Sequence, residues 1–264
     1  MIGVFDSGIG GLTVIRELQR LLPHQPIIYF GDTARTPYGS KGPDTLIQYS
    51  MEDAGFLLDK GAEILIIACH SAASAATSVL KDRLPIPVFE VISPSVEHAV
   101  RFTRKKAIGL IGTRATVLSG IYEKKISAIS SDIRLFTQAC PLLVPLVEEG
   151  WLKKRETRMI VRKYLRSLKG KGIDVLVLGC THYPLLKGVI QEKIGKKVKI
   201  IDPSEEVARM VYEHLKEHGG LAEGAEGAES RFYLSDITPI TKEIVERFLG
   251  KKVRLEKVDL ASGH

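Results

Sequence analysis

The chain has 264 residues, of which 44% are hydrophobic, and a formal net charge of +7. This length and composition fit one large globular domain or two modest ones. No apolar run reaches the roughly 18 to 20 residues of a membrane span, and the chain opens on a strand-like segment rather than a leader, so we expect a cytoplasmic protein with no membrane partner. Three cysteines, an odd number, argue against a disulfide framework and favour free thiols.

The excess of basic residues raises nucleic acid as a possible partner. The chain contains 38 Lys and Arg against 31 Asp and Glu. These basic residues lie in short scattered groups, such as 104–106 and 196–197, without interleaved aromatic residues. We therefore expect no nucleic-acid partner, and an anionic small substrate fits the charge equally well.

Short apolar segments alternate with segments of helical periodicity along the chain. The predicted strands are Ile2–Phe5, Ile27–Phe30, Ile64–Ala68, Val88–Ile92, Ile108–Ile111, Arg134–Gln138, Val175–Leu178 and Val198–Ile201. The clearest predicted helices are Thr13–Leu22, Thr45–Lys60, Thr157–Lys169 and Glu205–His218, with Gly61 and Gly219 as stops. This alternation predicts an α/β protein with mostly parallel sheets covered by helices on both faces.

The order of these elements predicts two similar domains. The first domain comprises residues 1–95 plus 206–264, because the last strand-helix-strand piece is expected to return to it, and the second comprises residues 96–205. Each domain carries one cysteine at the carboxyl end of a strand, which is where ligands bind in open α/β sheets. The low-complexity residues 219–230 predict a mobile loop.

Two cysteines occupy matching positions in the two predicted domains. Each closes an apolar run and is followed by hydroxyl and imidazole side chains, in the order Cys-His-Ser at 69–71 and Cys-Thr-His at 180–182. A single buried cysteine is usually a small hydrophobe. The pairing predicts instead two thiols facing one pocket, with pKa values lowered by helix starts and a nearby imidazole. Cys140 lacks such neighbours and is interpreted as structural.

His182 is a candidate acid that assists proton transfer, because its ordinary pKa lies near neutrality. A helix-capping or core histidine is the alternative. One Cys and one His in each cluster, with no C-x-x-C, make a poor closed zinc site, so we expect no metal.

Two loops at predicted strand ends carry further candidates. Residues 6–13 form a Gly-rich turn whose amides can hold a carboxylate or phosphate, although the spacing matches neither a P-loop nor a dinucleotide motif. Asp6 is a candidate proton-relay or amine-binding carboxylate, and the alternative is that Asp6 or Ser7 caps the next helix. In the polar loop 31–40, residues 37–39 (Pro-Tyr-Gly) would place a rigid backbone and a phenol over a pocket.

These motifs together resemble those of the glutamate racemases, within the cofactor-independent aspartate/glutamate racemase superfamily. The resemblance covers nearly the whole chain and rests on separate motifs in the right order. These motifs are at residues 6–11, 31–32 with 37–39, the segment around Cys69, 111–116, 140–141 with 144–148, and 178–185.

The resemblance implies two α/β domains with the active site in the cleft between them. It also implies a cofactor-independent racemisation of glutamate and a supply of D-glutamate for peptidoglycan. By resemblance, Cys69 acts on the D-enantiomer and Cys180 on the L-enantiomer, assisted by Asp6, His182 and Glu148. No pyridoxal phosphate, metal or nucleotide is implied, and a homodimer is expected. The implied substrate contacts are Ser7, Pro37, Tyr38, Gly39, His70, Ser71, Thr113, Thr116 and Thr181.

The chain departs from the family pattern beside the first cysteine. The family usually has Cys-Asn-Thr where this chain has Cys69, His70 and Ser71. Serine keeps the hydroxyl of threonine, but histidine changes the size, donor geometry and possible charge of asparagine. Our hypothesis is that His70 still donates a hydrogen bond to substrate and that glutamate is preferred. The alternatives are an aspartate racemase or related isomerase, and a basic nucleic-acid or regulatory binding protein with the same fold.

Overall fold

A computed structural model describes residues 1–222 and 229–260. Within them the strands are β1 (Ile2–Asp6), β2 (Ile27–Gly31), β3 (Ile64–Ile67), β4 (Val88–Glu90), β5 (Ala107–Gly112), β6 (Arg134–Ala139), β7 (Val175–Gly179), β8 (Lys199–Ile201), β9 (Arg231–Leu234) and β10 (Leu255–Lys257). The helices are α1 (Leu12–Leu21), α2 (Pro43–Asp59), α3 (His70–Arg83), α4 (Ile92–Phe102), α5 (Arg114–Leu118), α6 (Ile121–Ile129), α7 (Leu143–Glu148), α8 (Arg155–Lys169), α9 (Lys187–Ile194), α10 (Pro203–Glu217) and α11 (Pro239–Leu249). Short 3₁₀ turns cover Tyr38–Ser40 and Tyr183–Leu186.

The strands form two parallel sheets, and this arrangement confirms the predicted fold class. The first sheet has the order β10-β9-β2-β1-β3-β4 and the second β6-β5-β7-β8. The four strands β2-β1-β3-β4 therefore repeat the order of the second sheet. Four strands are buried along their whole length, as expected where helices cover both sheet faces: β1, β2, β3 and β7.

The two helices α4 and α10 connect the sheets. α4 packs against β7 and β8 of the second sheet, and α10 packs against α1 and α4 and contacts both β4 and β7. The predicted domain boundaries, at 95/96 and 205/206, fall inside α4 and α10 and stay predictions. In the described part of the chain, no helix has both the length and the apolar composition needed to cross a membrane.

The predicted elements agree with the structure to within a few residues, with one informative difference. The strand predicted at Val88–Ile92 ends at Glu90, because the Glu90 carboxylate accepts the backbone N–H groups of Ile92 and Ser93 and so opens α4. The last strand-helix-strand piece returns to the first sheet as predicted, since β9 pairs with β2. Of the predicted mobile loop 219–230, residues 223–228 lie outside the described part of the chain.

Candidate active site

A cavity of ≈ 420 Å³ lies between the carboxyl ends of the two sheets. Every residue that lines it follows the end of a strand. From the first sheet these are Ser7, Thr36, Pro37, Tyr38, Gly39, Ser40, Cys69, His70 and Ser71. From the second sheet they are Thr113, Arg114, Pro141, Val144, Pro145, Glu148, Cys180, Thr181 and His182. The cavity therefore brings together most of the residues selected from the sequence, including both cysteines.

Cys69 has a hydroxyl neighbour and a raised pKa. It immediately precedes α3, it is 5% exposed, and its Sγ donates to Ser7 Oγ at 3.4 Å. Burial, followed by the negative charge of Asp6, raises the pKa of Cys69 to about 12. The expectation of a lowered pKa was wrong for this thiol, because these two effects outweigh the amide dipoles at the start of α3. Cys69 is therefore held as a thiol.

The thiol of Cys180 lies next to an imidazole, which in turn contacts a carboxylate. Its Sγ lies 3.9 Å from His182 Nδ1, and His182 Nε2 lies 3.1 Å from Glu148 Oε1. Burial acts to lower the pKa of His182, but the hydrogen bonds and charges of Cys180 and Glu148 outweigh it and raise this pKa to about 10. The Phe248 ring packs edge-on against the imidazole at 5.9 Å between centroids. An imidazolium is thus fixed beside Cys180, and the two thiols have unlike surroundings.

Asp6 supports the site from beneath the cavity. It is fully buried at the end of β1 and does not line the cavity. One carboxylate oxygen accepts from the Thr181 hydroxyl at 3.3 Å, and the other accepts from the Gly8 amide at 3.2 Å. Burial raises the pKa of Asp6, and the charge of His182 opposes the shift. The alternative in which Asp6 caps α1 is supported in part, because the Asp6 carboxylate also accepts from the amide of Gly11, the N-cap residue of that helix.

A chain of hydroxyl groups crosses from one sheet to the other. Ser71 Oγ lies 3.0 Å from Thr113 Oγ1, which lies 3.0 Å from Thr116 Oγ1. Thr113 also accepts the Thr116 amide and thereby caps α5. Ser71 and Thr113 line the cavity, whereas Thr116 lies behind them. Thr116 is therefore placed to orient Thr113 rather than to contact a ligand directly.

The Pro-Tyr-Gly loop is held by a buried charged cluster that sequence reasoning missed. The Tyr38 hydroxyl donates to Asp32 and, at 3.0 Å, to Asp53, both of which are fully buried. Arg35 bonds the same two carboxylates and Glu52. Because 32 and 53 lie in different elements, no local spacing signals this contact. The cluster therefore fixes the phenol of Tyr38, a residue that lines the cavity.

His70 lines the cavity with both of its ring nitrogens unsatisfied. It is 2% exposed, and neither Nδ1 nor Nε2 has a hydrogen-bond partner among the described residues. Burial lowers the pKa of His70 to about 3, so the imidazole is neutral. A neutral imidazole retains one N–H donor and one acceptor for a bound molecule.

The structure adds lining residues that were not selected from the sequence, although most of them lie inside the motifs. Pro141, Val144 and Pro145 form an apolar wall, and Arg114 places a cation at the cavity. Among residues 1–222 and 229–260, no group of three or more His, Cys, Asp or Glu is arranged to hold a metal ion.

Comparison with known proteins agrees with this geometry. The model of the Asp/Glu/hydantoin racemase family matches residues 3–211. The chain belongs to this family. The racemase family therefore accounts for most of the chain, and the predicted enzyme class, an isomerase that racemises amino acids, is confirmed.

Individual members of the racemase family resemble the chain over nearly its full length. A glutamate racemase of Geobacter metallireducens is 45% identical over 252 residues, which cover 96% of this chain and 93% of the relative. The crystal structure of a glutamate racemase from Francisella tularensis in complex with D-glutamate has a TM-score of 0.93 at 37% identity, covering 99% and 98% of the two chains. A glutamate racemase isoform from Bacillus anthracis also has a TM-score of 0.93, at 36% identity and 98% and 97% coverage. The resemblance to glutamate racemases inferred from the motifs is confirmed.

Proposed function

We propose that this racemase interconverts L- and D-glutamate by proton transfer at the α-carbon between two thiols. The observation that carries the proposal is the pair of buried cysteines, Cys69 and Cys180, which follow strands of different sheets and line one cavity. The names of the relatives, and the D-glutamate in one of their structures, support glutamate as the substrate.

In the direction from L- to D-glutamate, the thiolate of Cys180 takes the α-proton and the thiol of Cys69 gives its own proton to the opposite face of the carbon. Cys180 then carries the proton and Cys69 is the thiolate. The reverse reaction, or proton exchange with solvent, restores the starting form. The imidazolium of His182 lies 3.9 Å from the sulfur of Cys180, where a positive charge can balance the negative charge that moves through the site. The raised pKa of Cys69 keeps that thiol protonated, so that it can donate its proton to the carbanion.

The remaining lining residues would stabilise the charge that develops on the substrate carboxylate. Without a cofactor as electron sink, the carbanion depends on fixed hydrogen-bond donors in a site from which water is excluded. The cavity offers the hydroxyls of Ser7, Ser71, Thr113 and Thr181. Because the substrate lies between two bases on opposite faces of its α-carbon, the carbanion does not have to rotate within the cavity before it is reprotonated. Asp6 and Glu148 would act through Thr181 and His182 respectively.

The test is racemisation by Cys69→Ser and Cys180→Ser, followed as loss of circular dichroism from each glutamate enantiomer without added cofactor. We expect each substitution to reduce kcat at least about a thousandfold in both directions, since a serine hydroxyl is a far weaker acid than a thiol. Cys140→Ala is the matched control, because Cys140 does not line the cavity and should leave turnover intact. Retention of more than about a tenth of the activity by either serine variant, in folded protein, would contradict the two-thiol reaction.

Aspartate is the second candidate substrate, because His70 replaces the asparagine usual at its position. We propose that the neutral imidazole donates a hydrogen bond to substrate and that glutamate is preferred. The measurement is kcat/KM for glutamate and aspartate with the wild type and with His70→Asn. A clear preference of the wild type for aspartate would reject glutamate as the natural substrate.

We also propose the biological role that the resemblance implies, which is the supply of D-glutamate for peptidoglycan by a cytoplasmic homodimer. Rescue of a bacterial strain that requires D-glutamate would support the role, and failure of an expressed, active enzyme to rescue it would argue against it. Sedimentation equilibrium of the purified protein tests the dimer, and a monomer at all concentrations would contradict it.

A further inference from the structure

Arg114 is a charged residue of the cavity to which the proton-transfer scheme gives no role. It follows Thr113 directly and is the first residue of α5. Its side chain is exposed and lines the cavity, so it lies at the solvent end, next to the hydroxyl chain that joins the two sheets. The sequence motif around it gave no reason to separate it from its neighbours.

The guanidinium of Arg114 is not fixed by an ion pair with any described residue. In residues 1–222 and 229–260, no carboxylate forms an ion pair with it. Its location at the first residue of a helix is unfavourable for a cation, because the partial charge of the helix N-terminus is positive. By contrast Arg35, which also lies near the cavity, bonds three carboxylates. Arg114 is therefore a free positive charge at the entrance of a buried site.

Arg114 is the cation of the cavity lining that has no carboxylate partner among the described residues, whereas His182 is paired with Glu148. Glu148 carries a negative charge and is paired with the imidazolium of His182, so these two cancel. Glutamate at neutral pH has two carboxylates and one ammonium group and thus a net charge of −1. A positive entrance attracts such a substrate over the range of the Debye length, and low-dielectric walls strengthen the field inside a cleft.

We propose that Arg114 draws the dicarboxylate substrate into the cavity and holds its side-chain carboxylate at the entrance, and that it thereby selects acidic amino acids. The inference rests on the proposed function and deepens it, because it assigns substrate selection to a residue outside the proton-transfer machinery. The contact is made equally in the ground state and in the transition state, so it acts on KM rather than on kcat.

The experiment compares Arg114→Gln and Arg114→Lys with Arg162→Gln. Arg162 is exposed on α8 and does not line the cavity, so its substitution removes the same charge at a distant place. We expect Arg114→Gln to lower kcat/KM about fivefold to tenfold at low ionic strength through KM. The loss must be equal for L- and D-glutamate, since the enantiomers have equal free energy. The loss in kcat/KM should be smaller at about 0.3 M salt, and Arg114→Lys should keep most of the wild-type kcat/KM.

A kcat/KM for Arg114→Gln equal to that of Arg162→Gln, or a loss in kcat that salt does not change, would overturn the inference. Calorimetric binding of glutarate, compared with butyrate, provides a readout without turnover. We expect Arg114→Gln to weaken the binding of glutarate about fivefold and to leave the binding of butyrate unchanged. A wild type that does not racemise glutamate would refute the proposed function, whereas equal glutarate binding by wild type and Arg114→Gln would refute the role of Arg114 alone.

Discussion

The buried imidazole of His70 makes a measurable prediction about stability at acidic pH. The side chain is 2% exposed and has no hydrogen-bond partner within the described residues, and burial lowers its pKa to about 3. In the unfolded chain the pKa of histidine is about 6.5. Between these two values the unfolded state binds a proton that the folded state does not. The stability associated with this group is therefore complete above about pH 6.5 and is lost as the pH falls toward 3.

The size of the effect follows from the two pKa values. Each unit of difference in pKa corresponds to about 1.36 kcal/mol. At about pH 5, which is about 1.5 units below the unfolded pKa, protonation of the unfolded state at His70 lowers the free energy of unfolding by about 2 kcal/mol. At about pH 7.5 the contribution is close to zero, because the imidazole is neutral in both states.

Urea denaturation of the wild type, His70→Asn and His24→Asn at about pH 7.5 and about pH 5 measures this difference. The wild type should lose about 2 kcal/mol more on acidification than His70→Asn, which cannot titrate. His24 is exposed, so His24→Asn should lose as much as the wild type. Equal losses by wild type and His70→Asn, within about 0.5 kcal/mol, would refute the reasoning that the buried imidazole stays neutral.

Three further substitutions test the supporting contacts of the site. Glu148→Gln removes the carboxylate that lies 3.1 Å from the imidazole of His182, so the pKa of His182 should fall by about 1 unit. The alkaline limit of kcat/KM should move to lower pH, and an unchanged pH profile would contradict the pairing. Gly10→Ala would place a Cβ 2.3 Å from the Thr181 hydroxyl, whereas Gly42→Ala meets nothing within 4 Å. Turnover should fall at least about tenfold in the first variant only, and equal turnover in both would count against the close packing. Tyr38→Phe deprives two buried carboxylates of a donor and should destabilise the protein by about 1 to 3 kcal/mol in urea denaturation, so an unaltered midpoint would argue against the shared hydroxyl.

Local patterns in the sequence were sufficient to predict the strands that carry the site. Apolar runs of four or five residues predicted strands such as β3 and β7, because segments buried on both faces of a parallel sheet lack polar alternation. The position of a cysteine directly after such a run then placed Cys69 and Cys180 at strand carboxyl ends, where both lie in the structure. The same reasoning failed at Glu90, where a side chain that caps the next helix ended the strand early.

The sequence by itself determined that this protein is a parallel α/β racemase with two thiols at equivalent strand ends, because strand periodicity and motif order are properties of neighbouring residues. Only the tertiary structure decided the chemistry of those thiols. Cys69 acquires a pKa of about 12 from burial and from Asp6, and His182 acquires one of about 10 through Cys180 and Glu148. These shifts depend on distances of a few ångströms between residues far apart in the chain and on the exclusion of water around them, and no spacing in the sequence encodes either.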